Sequence, residues 1–352
     1  MMKFLLVAAK TGGHVFPASV IGEELIKNNH EVIFIGTGSE IEKNAYHNLD
    51  SQLYELSMEG FRGSNLIKKL QVLFQTFINI FKVIQIINKE KINAMIGFGG
   101  FITVPVGIAC WIKRKPIFTH EQNAVIGSAN KLLSKISIIN FLGFPINGFN
   151  KSIYSGNPIR KSFINNGENI INDKNEIRIY ITGGSQGSEY INKQLPRIFK
   201  DISSNIKIIH QCGKNNFQEV SNIYSLEGID AEISEFYQNP VEQILWSDFV
   251  ISRGGALSLS EITSLRRGVV IIPLPTSIDN HQVENAKSIE KIDMGIMHEQ
   301  KDHINKLQEK IRDIIENKIY LKWKDLENNN HINSSKIIVK QLENYLDKNE
   351  TL

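Results

Sequence analysis

Residues 5–17 read Leu5-Leu6-Val7-Ala8-Ala9-Lys10-Thr11-Gly12-Gly13-His14-Val15-Phe16-Pro17, an apolar run that stops at two glycines and a histidine. The run has the composition of a buried strand, and Ala18, Ile21 and Leu25 recur behind it at helical spacing. Thr11 to His14 is therefore predicted at a strand-to-helix turn, where parallel α/β folds present backbone N–H groups to a ligand. Taken alone, the segment also fits tight-turn glycines beside an ordinary loop histidine. Pro17 is expected to open the helix.

Outward from this stretch the same alternation repeats. Strands are predicted at 3–9, 31–36, 94–97, 116–119 and 136–140, then at 177–182, 206–210, 230–234, 249–252 and 269–273, with helical patterns between them. Strands separated by helices imply parallel βαβ units. The polar stretch 165–176 divides the two sets, just after Asn157-Pro158-Ile159-Arg160, and 352 residues exceed one ordinary core. The expected architecture is α/β: two doubly wound, Rossmann-like domains, 1–160 and 161–332, facing across a cleft.

The second set opens with Thr182-Gly183-Gly184-Ser185-Gln186-Gly187-Ser188 after "IRIYI". Three glycines around Ser185 make a nest of N–H donors that suits a diphosphate without a metal ion. Neither G-x-G-x-x-G nor a Walker ending is present, which disfavours a nicotinamide dehydrogenase. Polar groups also follow other strands: Gly97-Phe98-Gly99-Gly100-Phe101, His120-Glu121-Gln122-Asn123, Arg253-Gly254-Gly255 running on to Glu261, and Asp279-Asn280-His281-Gln282. Open α/β sheets bind ligands at these strand ends. Glu261 could accept both hydroxyls of a ribose, or be a solvated helix residue.

Net charge is +3, too small to argue for nucleic acid, and 41% apolar with 22% charged residues is ordinary for a globular chain. Cys110 and Cys212 stand in no metal-like spacing and suit a reducing compartment. No signal peptide is expected, and the apolar stretch 97–112 falls short of the roughly 20 residues of a membrane span. Residues 61–89 carry no acid, while Arg62, Lys68, Lys69, Lys82 and Lys89 are basic; Trp111 and Lys113 form a second basic-aromatic spot. Shallow contact with anionic headgroups is predicted through Lys68, Lys69, Leu73, Phe77, Phe81, Trp111 and Lys113.

"TGGHVFPA", "GFGGF", "HEQN", "GNPIR", "GGSQGS", "SRGGALSLSE" and "DNHQ…NA" occur in the order and approximate spacing of the MurG family, and the resemblance runs from about residue 3 to residue 340. That family comprises bacterial transferases that move N-acetylglucosamine from UDP to lipid I, giving lipid II for peptidoglycan. The resemblance implies the GT-B architecture, an inverting reaction and no cofactor or metal. Its C-terminal helix, about 333–350 here, would pack back on the N-terminal acceptor and membrane-associating domain, and the second domain would bind UDP-sugar. The implied donor site is Thr11, Gly12, Gly13, Asn123, Arg160, Ser185, Tyr237, the run Ala256, Leu257, Ser258, Leu259, Ser260 and Glu261, and Gln282. Ser185 would hold diphosphate, Glu261 ribose, Asn123 and Gln282 the sugar, and the Tyr237 backbone uracil. The implied partners are UDP-N-acetylglucosamine, lipid I, the anionic inner face of the plasma membrane and other cell-wall and division proteins. Ala9-Lys10 departs from the glycine pair usual in relatives.

A displacement of UDP by the muramyl 4-hydroxyl needs a base, and positioned bases contribute on the order of 10²–10⁴-fold. His14 is the first choice because an imidazole ordinarily ionises near 6.5; Glu121 is the reserve. A UDP-N-acetylglucosamine 2-epimerase and a non-catalytic membrane-recruiting module are the rival readings.

Overall fold

The computed structural model describes residues 1–58, 66–164, 176–202 and 205–350, the side chains of 66–70 and 349–350 excepted. The chain divides into two compact units, Met1–Arg160 with Asn330–Leu352, and Lys161–Asn329.

In the first unit seven parallel strands, β1 (Lys3–Val7), β2 (Glu31–Gly36), β3 (Gln52–Glu55), β4 (Ala94–Gly97), β5 (Ile117–Glu121), β6 (Ile139–Leu142) and β7 (Ser152–Tyr154), lie in the order β3-β2-β1-β4-β5-β6-β7. β1 pairs with both β2 and β4, Val7 lying opposite Ile35 on one side and Gly97 on the other. Alternate residues serve opposite faces. Phe4 and Leu6 pack with Ala18, Ile21 and Leu25 of the helix Gly12–Lys27 and with Ile338, Val339 and Leu342 of the C-terminal helix Ser334–Glu350. Leu5 and Val7 pack with Val83 and Ile87 of the helix Leu66–Glu90 and Val106 of the helix Thr103–Ile112. Burying each such Leu or Ile contributes about 1.5–3 kcal/mol.

The second unit holds six parallel strands, β8 (Ile177–Thr182), β9 (Ile206–Gln211), β10 (Ala231–Ser234), β11 (Phe249–Ser252), β12 (Gly268–Ile271) and β13 (Gly295–Met297), in the order β10-β9-β8-β11-β12-β13. Strand order reverses between β1 and β4 and again between β8 and β11, so each unit has its ligand-binding switch point beside its own first Gly-rich turn.

Several expectations change. β3, β7 and β13 are short strands at or near sheet edges, too brief and too exposed in β3 and β7 to carry a strand pattern. The strand expected at 136–140 runs Ile139–Leu142, because Ile136 and Ser137 close the turn after the helix Ser128–Leu133 on the Leu133 carbonyl. β5 extends through His120 and Glu121, which therefore end a strand rather than follow one. Pro17 is the sixth residue of its helix and does not open it: His14 and Val15 already bond the Thr11 carbonyl upstream. Of the polar stretch between the domains, 165–175 lies outside the described residues.

Candidate active site

In the first unit the site is built on the turns after β1, β2, β4 and β5. Lys10 adopts φ +65°, a left-handed conformation that a lysine takes only at a cost of about 1–2 kcal/mol. Glu42 holds it there. Its carboxylate is buried and accepts from Lys10 N at 2.9 Å, Thr37 N at 2.7 Å, Thr37 Oγ1 at 2.8 Å and Gly38 N at 2.8 Å. Burial alone would raise this carboxyl, but the donors outweigh it and hold it below its ordinary value. The lysine thus follows the path a glycine would take.

Thr11 caps the helix Gly12–Lys27, and its Oγ1 lies 3.0 Å from His14 Nδ1. The His14 ring rests on Gly99 and Gly100, at φ +92° and +81°; a Cβ placed on Gly99 would stand 3.2 Å from His14 Nε2. Glycine is thus required at 99 twice over, by backbone conformation and by the imidazole.

Glu121, the reserve base, has a different task. It is buried, Oε1 accepts from Asn123 N and Nδ2, and Oε2 accepts from Gly127 N and Asn130 Nδ2, both at 2.9 Å. A carboxylate enclosed by four donors shapes the 122–127 loop and positions Asn123; it has no place for an incoming hydroxyl proton. Beside it His120 is fully buried, donating through Nε2 to Gly156 O and accepting at Nδ1 from Gln122, and burial pushes it down to about 4. Arg160 lies over the Phe16 ring at 5.1 Å.

In the second unit the turns after β8, β11 and β12 enclose a cavity of about 840 Å³. The 183–188 turn folds back on itself: Gly184 N donates to Thr182 Oγ1, Gly187 N to the Gly184 carbonyl, and Ser188 Oγ caps the helix Glu189–Lys200 at Ile191 N. Gly187 is at φ +74°, and a Cβ there would stand 2.1 Å from the Cys212 carbonyl oxygen, so no side chain fits. Gln282 Oε1 accepts from Gly254 N at 3.1 Å and Leu274 N at 2.9 Å, leaving its amide NH₂ as the donor on the cavity wall.

Of the nominated donor residues in this unit, Ser185, Ser258 and Gln282 line the cavity. Leu259 and Ser260 do not: both are fully buried, and Ser260 Oγ donates to the Ala256 carbonyl within its own helix. Ala256 and Leu257 are buried at the helix start, and Glu261 is buried too, so it is no solvated helix residue. Tyr237 stands beyond the cavity lining, beside the end of β9: its N–H donates to Gln211 Oε1 and its hydroxyl, pushed up to about 12 by burial and then by Glu232, donates to that carboxylate. The uracil contact assigned to its backbone therefore cannot use the N–H as placed here.

Arg253, part of a polar strand end, is not among the donor residues that the resemblance implies. Its guanidinium donates to the carbonyls of Ile272 and Pro273, to Gln300 Oε1 at 2.7 Å and to Ser188 Oγ at 2.6 Å, tying the three turns around the cavity together. Burial lowers its pKa, yet an arginine starts so high that it stays charged. Its place after an apolar strand was a signal; its four partners lie far off in sequence.

Two doubly wound domains, each with a Gly-rich turn at its switch point, give the chain the GT-B architecture, and the family comparisons make it a glycosyltransferase. The glycosyltransferase family 28 N-terminal domain matches residues 4–137 and the family 28 C-terminal domain matches residues 178–342. A UDP-N-acetylglucosamine–N-acetylmuramyl-(pentapeptide) pyrophosphoryl-undecaprenol N-acetylglucosamine transferase of Buchnera aphidicola subsp. Baizongia pistaciae is 31% identical over 351 residues, 98% of this chain and 99% of that protein. The Haemophilus influenzae (strain 86-028NP) protein of the same description is 33% identical over 303 residues, 85% of this chain and 86% of its own. The crystal structure of Acinetobacter baumannii MurG superposes with a TM-score of 0.81 at 25% identity, over 97% of this chain and all of that one. The chain belongs to the MurG family of UDP-N-acetylglucosamine transferases. A UDP-GlcNAc 2-epimerase from Neisseria meningitidis, with a TM-score of 0.69 and 16% identity over 97% of this chain and all of that one, shares the fold.

Proposed function

We infer that this chain transfers N-acetylglucosamine from UDP-N-acetylglucosamine to the 4-hydroxyl of undecaprenyl-pyrophosphoryl-N-acetylmuramyl pentapeptide, converting lipid I to lipid II. The observation that carries this is likeness to the family along nearly the whole length, both domains included.

In this reading the second unit holds the donor. N–H groups of the 183–188 turn other than those of Gly184 and Gly187, with the Ser185 hydroxyl, receive the diphosphate, and they meet the charge that develops on UDP as the anomeric bond breaks. Arg253 fixes the turns that carry them. Gln282 NH₂ donates to the sugar, and Glu261 accepts from the ribose. The first unit supplies His14. With Nδ1–H donating to Thr11 Oγ1, Nε2 carries the lone pair and takes the proton of the 4-hydroxyl as oxygen attacks the anomeric carbon. Gly12, Gly13, Asn123 and Arg160 complete the site; Glu121 acts through Asn123.

The membrane reading rests on the helix Leu66–Glu90. Leu73, Phe77 and Phe81 are 56%, 59% and 53% exposed, and Trp111 is 60% exposed. Phe77 and Phe81 meet edge to face with ring centroids 4.8 Å apart. Exposed aromatics beside Lys82, Lys113 and Arg114 suit an anionic lipid surface at the inner face of the plasma membrane. Among the described residues no helix is long and apolar enough to cross a membrane. The side chains of Lys68 and Lys69 lie outside the described residues.

The test is an assay of the purified chain with UDP-N-acetylglucosamine and a short-chain lipid I analogue, reading UDP release and disaccharide product. His14→Ala should lower turnover at least a hundredfold while UDP affinity stays within about threefold. Epimerised sugar in place of disaccharide would overturn the assignment, and near-normal turnover of the variant would remove His14 from its role.

A further inference from the structure

Lys10 poses a question that the transfer chemistry above leaves unanswered: why a strained lysine should stand four residues before His14. Its φ of +65° costs what a glycine would not, and a buried carboxylate, Glu42, is committed to holding its N–H. The side chain is exposed, with its ammonium 5.0 Å from the centre of the Phe101 ring. Phe101 closes the same turn whose Gly99 and Gly100 carry the His14 ring. Lys10 and His14 therefore both lie against the 99–101 turn.

Lys10 also lines a cavity of about 560 Å³ with Thr37, Gly38, Ser39, Leu56, Ser57 and Met58. Among the described residues, the carboxylates beside this cavity are already partnered. Glu42 is saturated by Lys10 N–H, both donors of Thr37 and Gly38 N–H. Glu55, which lies against Gly38, pairs with Lys43 at 3.2 Å. Among the described residues lining this cavity, none forms an ion pair with the Lys10 ammonium. The Thr37 hydroxyl is already donated to Glu42, so the ammonium is the charged donor on the cavity wall.

We propose that Lys10 and the cavity beside it form an anion subsite that grips a phosphate or carboxylate of the acceptor. The subsite rests on the transferase reading for the identity of the acceptor, though its binding is measurable without turnover. An ammonium over an aromatic ring keeps its N–H groups free for a charge-assisted bond.

The test compares Lys10→Met, Lys10→Gly and Lys10→Arg with the unaltered chain. Met keeps the length without charge, Gly removes both the side chain and the strain, and Arg restores charge. Binding of the lipid I analogue is followed by calorimetry without donor, and acceptor and donor KM are followed in the transfer assay. Lys10→Met and Lys10→Gly should each weaken analogue binding and raise acceptor KM about tenfold, with kcat and donor KM within twofold; Lys10→Arg should recover to within threefold. Added salt should weaken acceptor binding by the unaltered chain more than by Lys10→Met. Equal analogue affinity in the unaltered chain and both uncharged variants overturns the subsite, whatever the transfer assay shows. Failure of the unaltered chain to transfer sugar overturns the function instead, and calorimetry then still decides Lys10. Repeating the titration with an analogue whose stem-peptide carboxylates are amidated separates the sources: a surviving contrast identifies the diphosphate, and a vanished one the carboxylate.

Discussion

Gly99→Ala tests the support of His14 by a single methyl group. Two costs follow from the structure. At φ +92° an alanine is in a region L-residues avoid, worth about 1–2 kcal/mol of stability. The new Cβ would also lie 3.2 Å from His14 Nε2 and 3.5 Å from Asn130 Nδ2, a few tenths of an ångström too close to the imidazole. The backbone of the turn is anchored, with Thr103 Oγ1 donating to the Gly99 carbonyl at 2.6 Å, so the ring is what yields. Its Nδ1 bond to Thr11 then lengthens and Nε2 moves off the hydroxyl it must deprotonate. A displacement of 1 Å costs on the order of 100-fold, so a few tenths should cost about tenfold in kcat. Gly13→Ala is the control for stability only, since Gly13 belongs to the proposed site: nothing lies within 4 Å of its added Cβ, and alanine in that helical turn should stabilise by up to about 1 kcal/mol. Urea unfolding and steady-state transfer on both variants read the two terms separately. A Gly99→Ala enzyme with unchanged kcat and a loss of stability below about 0.5 kcal/mol would refute the argument that this glycine exists for His14.

Acid should destabilise the chain through its buried histidines: His120 is held down to about 4, and His210 and His331 to about 3, each by burial. A histidine depressed in the folded state contributes its full stability above the ordinary value near 6.5 and loses it as pH falls toward the folded value. Between pH 6.5 and 5 each should cost on the order of 2 kcal/mol, and equal urea midpoints at pH 7 and pH 5 would contradict this. Arg253→Lys removes a fork that four acceptors share, so donor KM should rise about tenfold and stability fall by about 2 kcal/mol; unchanged donor KM would show that the turns hold without it. Replacing Phe77, Phe81 and Trp111 together by serine should abolish sedimentation with anionic vesicles while the melting temperature stays within about 2 °C, since all three side chains are exposed. Retained sedimentation, or binding indifferent to charge reversal at Lys68, Lys69 and Lys113, would place the lipid contact elsewhere.

The sequence by itself determined the two-sheet α/β plan and the turns at its switch points. Strand composition and helical spacing are local, and β8, β11, β2 and β4 fall where their apolar runs put them. The position of His14 could be read for the same reason, directly after the two glycines that open the helix behind β1. Tertiary structure decided the rest, because burial and hydrogen-bond partners are properties of distant contacts. Glu121 reads as a free acid in "HEQN" but is enclosed by donors up to nine residues away. Leu259 and Ser260 read as part of a ligand run, yet the turn of their helix aims them into the core while Ser258 faces the cavity. Arg253, Glu42 and the strained Lys10 acquire their meaning from partners up to 65 residues away. A linear pattern records which residue stands where the chain turns; only the folded chain records what that residue meets.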